Sequence, residues 1–315
     1  MTRFESLPNE ILITVFEYIN ARDLYRAFYN LNHRLNDVLQ SLRGLYLFLG
    51  CIRFRHDIHD ALFASRVDTI IVDRTRVFDD FSLFSNVHRL IFLDGSKGNL
   101  FPIINRLSWI EHLSIQIQHD SPSFSELYRR IFSNEFPNLK SGIFNKFEPI
   151  DYQDHWQTTS TIRYLRLHSD HSFIHISVLT ACVNLHSLYL GIPTLSSPPS
   201  TVSQQGHMNL KRLTIFLTSS EWPEQSVWKE FFRCVPHLQR LRIERTLDNC
   251  TMMNHLKKSD WLGDVLANCL SCLERFHLIL NIRDKQGLEK IDLNSLKSSF
   301  DHVYHHRYQF QLIIN

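Results

Sequence analysis

The chain has 315 residues, 43% of them hydrophobic and 21% charged, with a net charge of +2. That length suits about two domains with cores of their own, and so small a charge speaks against a nucleic-acid-binding or membrane-binding surface spread over the whole molecule. Nine glycines, about 3% where ~7% is usual, leave little material for phosphate-cradling loops.

Six scattered cysteines, Cys51, Cys182, Cys234, Cys250, Cys269 and Cys272, have the distribution of buried thiols and not of a disulfide framework. A reducing compartment, cytoplasmic and/or nuclear, is therefore expected. The N-terminus has neither the basic region nor the apolar core of a signal peptide. The densest apolar run, Leu45 to Ile52, stops at Arg53, far short of the ~20 residues that span a bilayer, so no membrane association is expected.

The first forty residues have a helical period. Pro8 fits only the first turn of a helix, Glu10 suits its positive end, and Ile11, Leu12, Val15, Phe16 and Ile19 then share a face, which predicts a helix over about 8–19. Asp23 is expected to cap a second helix carrying Leu24, Ala27, Phe28 and Leu31. Leu35, Val38, Leu39 and Leu42 predict a third. Three helices this short usually need a metal, a disulfide or a partner, and with no cysteine here a partner is expected.

Residues 7–39, LPNEILITVFEYINARDLYRAFYNLNHRLNDVL, resemble the F-box motif: Leu-Pro, an acidic residue, paired aliphatics, Asp-Leu, then apolar residues ahead of a basic one. Leu7-Pro8, Glu10-Ile11-Leu12, Ile19, Asp23-Leu24 and Leu31 with Arg34 fall in register. Asn32 and Leu35 depart from it, standing where the family often has Cys or Ser and an aromatic residue. The resemblance implies that Leu7, Pro8, Glu10, Ile11, Leu12, Leu24, Leu31 and Arg34 dock on a Skp-type adaptor, and through it on a cullin-RING ubiquitin ligase. The expected division is an F-box over 1–41 and a second body over 42–315.

In that body a unit, apolar-x-x-apolar-x-apolar, begins at Leu42, Val67, Val87, Ile110, Leu139, Ile162, Leu185, Leu210, Leu238 and Leu273, at intervals of 20 to 35 residues. Most intervals match the 20–29 of leucine-rich repeats. The phrases NLHSLYL (184–190), NLKRLTI (209–215), HLQRLRI (237–243) and CLERFHL (272–278) read as copies. Helix-like stretches, such as Phe124-Leu127-Tyr128-Ile131 and Val227-Glu230-Phe231-Cys234, lie between units. The body thus resembles a divergent leucine-rich-repeat array, although the asparagine usual two residues past the last apolar position is mostly missing. The fold expected is α/β, a three-helix F-box followed by a solenoid with a parallel sheet. In the F-box family such repeats read the substrate. Ile192 to Asn209 is expected to be a surface loop, with Ser197-Pro198 a potential phosphorylation site.

Catalytic and metal signatures are incomplete. His56, Asp57, His59 and Asp60 cluster in sequence, as do His302, His305 and His306; His171 and His175 have the spacing of one helical face, and Cys269-x-x-Cys272 stands alone. No H-E-x-x-H, G-x-S-x-G or phosphate-loop motif occurs, and Gly95-Ser96-Lys97-Gly98 reads as a turn. No enzymatic activity, cofactor or metal is expected. The 23 phenylalanines fall mostly at core-type positions, such as Phe16, Phe28, Phe231 and Phe276, which favours packing over base stacking and argues against a nucleic-acid partner.

If the three pattern positions of each unit point inward, strand alternation sends the intervening residues to an open face. That face would carry Arg89, Tyr164, Arg166, Tyr189, Arg212, Phe216, Arg240, Arg242 and Arg275, with His112, His168 and His277, against the acids Asp73 and Glu244. Such a surface suits an acidic or phosphorylated target. The expected function is the substrate-recognition subunit of a Skp-cullin-F-box ligase; the alternative is a non-catalytic repeat interaction scaffold without a ligase link. For the basic residues themselves the alternative role is solubility.

Overall fold

The computed structural model describes residues 4–50, 60–73, 83–93, 109–116, 122–146, 161–171, 174–195, 206–219, 222–249, 261–284 and 309–314. The chain forms two compact units. The first comprises residues 1–127 with 136–139, and the second 128–135 with 140–315.

The first unit opens with helices α1 (Asn9–Phe16), α2 (Ala21–Phe28) and α3 (His33–Ser41). Leu12, Phe16, Leu24, Leu35 and Leu39 fill the space between them, and the rings of Phe4, Phe16 and Phe28 stack at one end, 4.9 to 6.1 Å apart. The second helix starts two residues before Asp23, so Asp23 lies in its first turn. Asn20 occupies the cap position, and its side-chain amide donates to the Asp23 carboxylate at 3.1 Å. Asn32, where the sequence departs from the F-box pattern, caps α3, its side-chain oxygen accepting from the Leu35 N–H at 2.8 Å.

These helices share their core with the strands that follow, β1 (Leu45–Leu49), β2 (Val67–Val72), β3 (Arg89–Phe92) and β4 (His112–Ile115), and with the short α4 (Asp60–Phe63). Tyr25 shows the join. Its ring packs on Phe63 at 5.2 Å, and its hydroxyl donates to the Leu39 carbonyl at 3.3 Å while accepting from Arg66 at 3.0 Å. Burial raises the phenol pKa, and the Arg66 charge offsets part of that rise. Asn20 also accepts from the Phe48 N–H, and the Tyr46 hydroxyl donates to the Tyr18 carbonyl. The residue 41/42 boundary read from the sequence therefore marks a change of period, from helix to strand, inside one compact unit.

The second unit contains β5 (Ser141–Phe144), β6 (Tyr164–His168), β7 (Ser187–Ile192), β8 (Arg212–Leu217), β9 (Arg240–Asn249), β10 (Arg275–Asp284) and β11 (Gln309–Ile314). Helices α6 (Ile174–Ala181), α7 (Gln225–Arg233) and α8 (Trp261–Cys269) alternate with the later strands, and α5 (Pro122–Phe132) spans the division between the units. All the strand pairs are parallel and follow chain order within each unit. An α/β fold with helices returning each strand beside the last is what a strand-then-helix repeat produces.

The inward positions are as the repeat pattern predicts: every one of them, from Leu42 to Leu278, is buried. Where Leu139's unit has Gly142 at its middle position, a Cβ would sit 2.8 Å from the Phe144 ring, so glycine there makes room for the aromatic. Register repeats as well. The Lys140 carbonyl accepts from the N–H groups of Arg163 and Tyr164, that of Arg163 from His186 and Ser187, that of His186 from Lys211 and Arg212, and that of Lys211 from Gln239 and Arg240, all at 2.8 to 3.1 Å. A one-residue slip would break this double acceptance and turn the apolar face outward.

Two features escape the pattern. Strand β11 pairs in register with β10, Phe310 beside Phe276 and Leu312 beside Leu278, but the first position of its unit is Arg307, which the apolar template rejects. The residue just ahead of two units ties neighbouring turns together: Asn86 donates to the Ser65 carbonyl at 2.6 Å and Asn209 to the Val183 carbonyl at 2.9 Å. Nearby, buried His207 accepts from the Leu210 N–H through Nδ1 at 3.1 Å, which leaves Nε2 to donate to the Cys182 carbonyl at 2.8 Å. Of the expected loop over 192–209, Ile192 belongs to β7, and residues 196–205, Ser197-Pro198 included, lie outside the described residues.

Candidate functional site

The head presents an apolar surface. Ile11 is 49% exposed and Leu31 60%, Leu7 is half-buried, and Pro8, Glu10 and Arg34 are exposed. Arg34 also builds this surface, since its guanidinium donates to the Leu7 carbonyl and, at 2.9 Å, to the Asn9 side chain, holding the Leu-Pro turn against α3. Leu12 and Leu24, expected on the same surface, are both wholly buried and hold the helices together. The stripe expected on α1 divides, with Leu12 and Phe16 facing the core while Ile11 and Val15 face out. Tyr18, 79% exposed, lies in the turn after α1, which ends at Phe16, short of the helix predicted over about 8–19.

The open face of the second unit carries the basic residues. Arg212, Arg240 and Arg275 stand side by side, paired in register on β8, β9 and β10. Thr214, Arg242 and His277 form the next row, and Phe216, Glu244 and Ile279 the third. A depression of about 230 Å³ opens among Arg212, Arg240, Arg242, Arg275, Thr214 and His277. Burial first, then the charges of Arg242 and Arg275, lowers the His277 pKa.

The arginines expected on this face have different surroundings. Arg242 is paired with Glu244 two residues along its own strand. Arg166 lies over the Tyr189 ring, 4.5 Å from its centre. His168 packs on the same ring at 5.2 Å and fills the space that a side chain at Gly191 would need. Burial, followed by the Arg166 charge, lowers the His168 pKa. Tyr164, half exposed, meets the edge of His186. Arg89 and His112 belong to the first unit, where Arg89 pairs in register with Thr69 and His112. Arg212, Arg240 and Arg275 have no carboxylate partner among the described residues.

The histidine and cysteine candidates do not converge. His171 precedes α6, whereas His175 lies within it, buried edge-on against Phe231 at 5.2 Å, so the two do not share a helical face. Cys272 Sγ is 3.9 Å from His237 Nδ1, and Cys269 Sγ approaches the Lys229 carbonyl instead. Burial raises the Cys269 thiol pKa. Among the described residues no group of three or more His, Cys, Asp or Glu could hold a metal ion, and no helix is long and apolar enough to cross a membrane. His56, Asp57 and His59, the histidines at 302–306 and Gly95 to Gly98 lie outside the described residues. No family model matches the chain, and comparison with curated proteins finds no match.

Proposed function

We propose that the chain is a non-catalytic substrate receptor of a Skp-cullin-F-box ubiquitin ligase. The head holds the Skp-type adaptor, which links to the cullin and its RING subunit, and the basic face of the second unit holds the target, in the cytoplasm or nucleus. The observation that supports this reading most is the exposed surface of Leu7, Pro8, Ile11 and Leu31, in F-box register and braced by Arg34. Exposed aliphatics clustered on a small helical unit mark a protein-binding patch. Leu12 and Leu24 act beneath it as its support.

The test is reconstitution. The full chain, co-expressed with a Skp-type adaptor, a cullin and its RING subunit, is expected to co-purify with all three, and Leu7→Ala with Pro8→Ala is expected to lose them together. Failure of the wild-type chain to retain the adaptor would leave a repeat scaffold without a ligase link as the better reading.

A further inference from the structure

Two turns of the second unit lie side by side. One follows α7 and holds His237 ahead of β9; the other follows α8 and holds Cys272 ahead of β10. Their placement comes from the fold: α7 packs against α8, and buried Leu238, Leu270 and Leu273 anchor the turns from inside. The Gln239 carbonyl then accepts from the N–H groups of Glu274 and Arg275 at 2.8 and 3.1 Å. That register brings Cys272 Sγ to 3.9 Å from His237 Nδ1, within hydrogen-bond range for sulfur. The other described cysteines are placed differently. Cys182 is wholly buried. Cys234 donates to the Glu230 carbonyl at 3.4 Å and Cys269 to the Lys229 carbonyl at 3.9 Å, and burial raises both thiol pKa values. Such surroundings keep a thiol protonated and slow to react, because the thiolate is the nucleophile. Among the described cysteines Cys272 is the exposed one, and it has a base within reach; Cys51 and Cys250 lie outside the described residues.

We propose that Cys272 is a redox-modification site, oxidised by hydrogen peroxide with His237 as the proton acceptor and then joined to Cys269 in a C-x-x-C disulfide. An exposed thiol beside a resolving cysteine is the arrangement that reversible thiol oxidation requires. His237 takes the thiol proton, and the Cys272 sulfur attacks one peroxide oxygen. The S–O bond forms as the O–O bond breaks, and the departing hydroxide takes the proton from the imidazolium and leaves as water. Sulfur has given two electrons to the peroxide, and the product is a sulfenic acid. Cys269, the last residue of α8, supplies the resolving thiol. Its side chain turns away from the Lys229 carbonyl, its sulfur attacks that of Cys272, and the sulfenic oxygen leaves as water with the Cys269 thiol proton. A dithiol reductant reverses the change by thiol–disulfide exchange. The order of reaction follows from the surroundings: half-buried Cys269 stays protonated while exposed Cys272 meets the oxidant.

The experiment treats the reduced full chain with limiting hydrogen peroxide and maps every cysteine by mass spectrometry. The expected product has lost two hydrogens within the peptide that carries Cys269 and Cys272, and regains them with dithiothreitol. In Cys269→Ser, which removes the resolving thiol, dimedone is expected to trap a sulfenic acid at Cys272. His237→Gln is expected to slow the reaction of Cys272 about tenfold near pH 7 and to match the wild type above about pH 9.5, where an exposed thiol ionises without a base. A purely structural role for His237 would slow it equally at both. Thermal melting shows that the variants fold, and the wild-type mapping needs no variant. First oxidation at Cys234 or any other cysteine, a Cys272 product never linked to Cys269, or a rate indifferent to His237→Gln overturns the proposal. So does a zinc or copper ion retained by the reduced chain at Cys272, which would make the pair a metal site.

Discussion

Strands β2–β4 and β8–β10 are built on the same inward lattice and differ on the outside. Inward, Ile70, Leu90 and Leu113 in the first unit occupy the positions that Leu213, Leu241 and Phe276 occupy in the second, and all are buried. Outward, β2–β4 carry Thr69, Ile71, Arg89, Ile91, His112 and Ser114, a mixture of small, apolar and single charged groups. The corresponding positions of β8–β10 carry Arg212, Thr214, Arg240, Arg242, Arg275 and His277. Inward residues answer to packing and determine the fold. Outward residues are free of that demand, so a repulsive row of arginines there calls for an explanation in binding.

The largest effects should come from the shared lattice. Leu90→Ala and Leu241→Ala are each expected to cost about 2–5 kcal/mol, because each leaves a cavity in a buried row. Denaturant unfolding checks this, and a cost near zero in one region would break the equivalence of the two. Outward substitutions should separate the regions instead. Arg240→Glu with Arg242→Glu is expected to weaken target capture by more than about tenfold, an interfacial hot-spot effect, and to do so most clearly at low salt. Arg89→Glu should change neither capture nor its salt dependence.

A smaller effect concerns pH. Burial holds the His207 pKa below the usual value of 6.5, and its hydrogen bond from the Leu210 N–H requires an unprotonated Nδ1. The unfolded chain therefore takes up the proton first, so the stabilisation is complete above the unfolded value of about 6.5 and is lost as pH falls below it. Thermal melts from pH 7.5 downward should show that decline, and His207→Gln should flatten it in part, since His168 and His277 are shifted in the same direction. Smallest of all, Arg240→Gln should raise stability by about 0.5 kcal/mol by relieving the repulsion between neighbouring strands. A fall in stability would show that the row contributes to the fold.

The regular spacing of the apolar units made most of the fold legible. Three apolar positions at fixed offsets were enough to locate ten of the strands and to predict which side chains turn inward, because burial and backbone register impose the same spacing. The eleventh strand was hidden by Arg307, and the start of α2 by an acidic residue that suited a cap but sits in the first turn. Spacing also places Arg212, Arg240 and Arg275 at the same unit position, which is why their row could be anticipated. The neutralisation of Arg242 by Glu244 and the stacking of Arg166 on Tyr189 depend on rotamers, and periodicity carries no information about those. In the head, a single apolar stripe on α1 divides between core and surface because helices so short cannot cover it. The attachment of the head to β1 and α4 through Tyr25 and Asn20 depends on contacts distant in sequence.

The receptor reading depends first on the head, and a calorimetric titration of the purified full chain with a purified Skp-type adaptor tests it most directly. Saturable one-to-one binding is expected, weakened by about tenfold or more in a chain carrying Ile11→Asp with Leu31→Asp, and unchanged by Arg212→Gln with Arg240→Gln and Arg275→Gln. A wild-type chain that binds no adaptor, or binding indifferent to charges placed at Ile11 and Leu31, would contradict it.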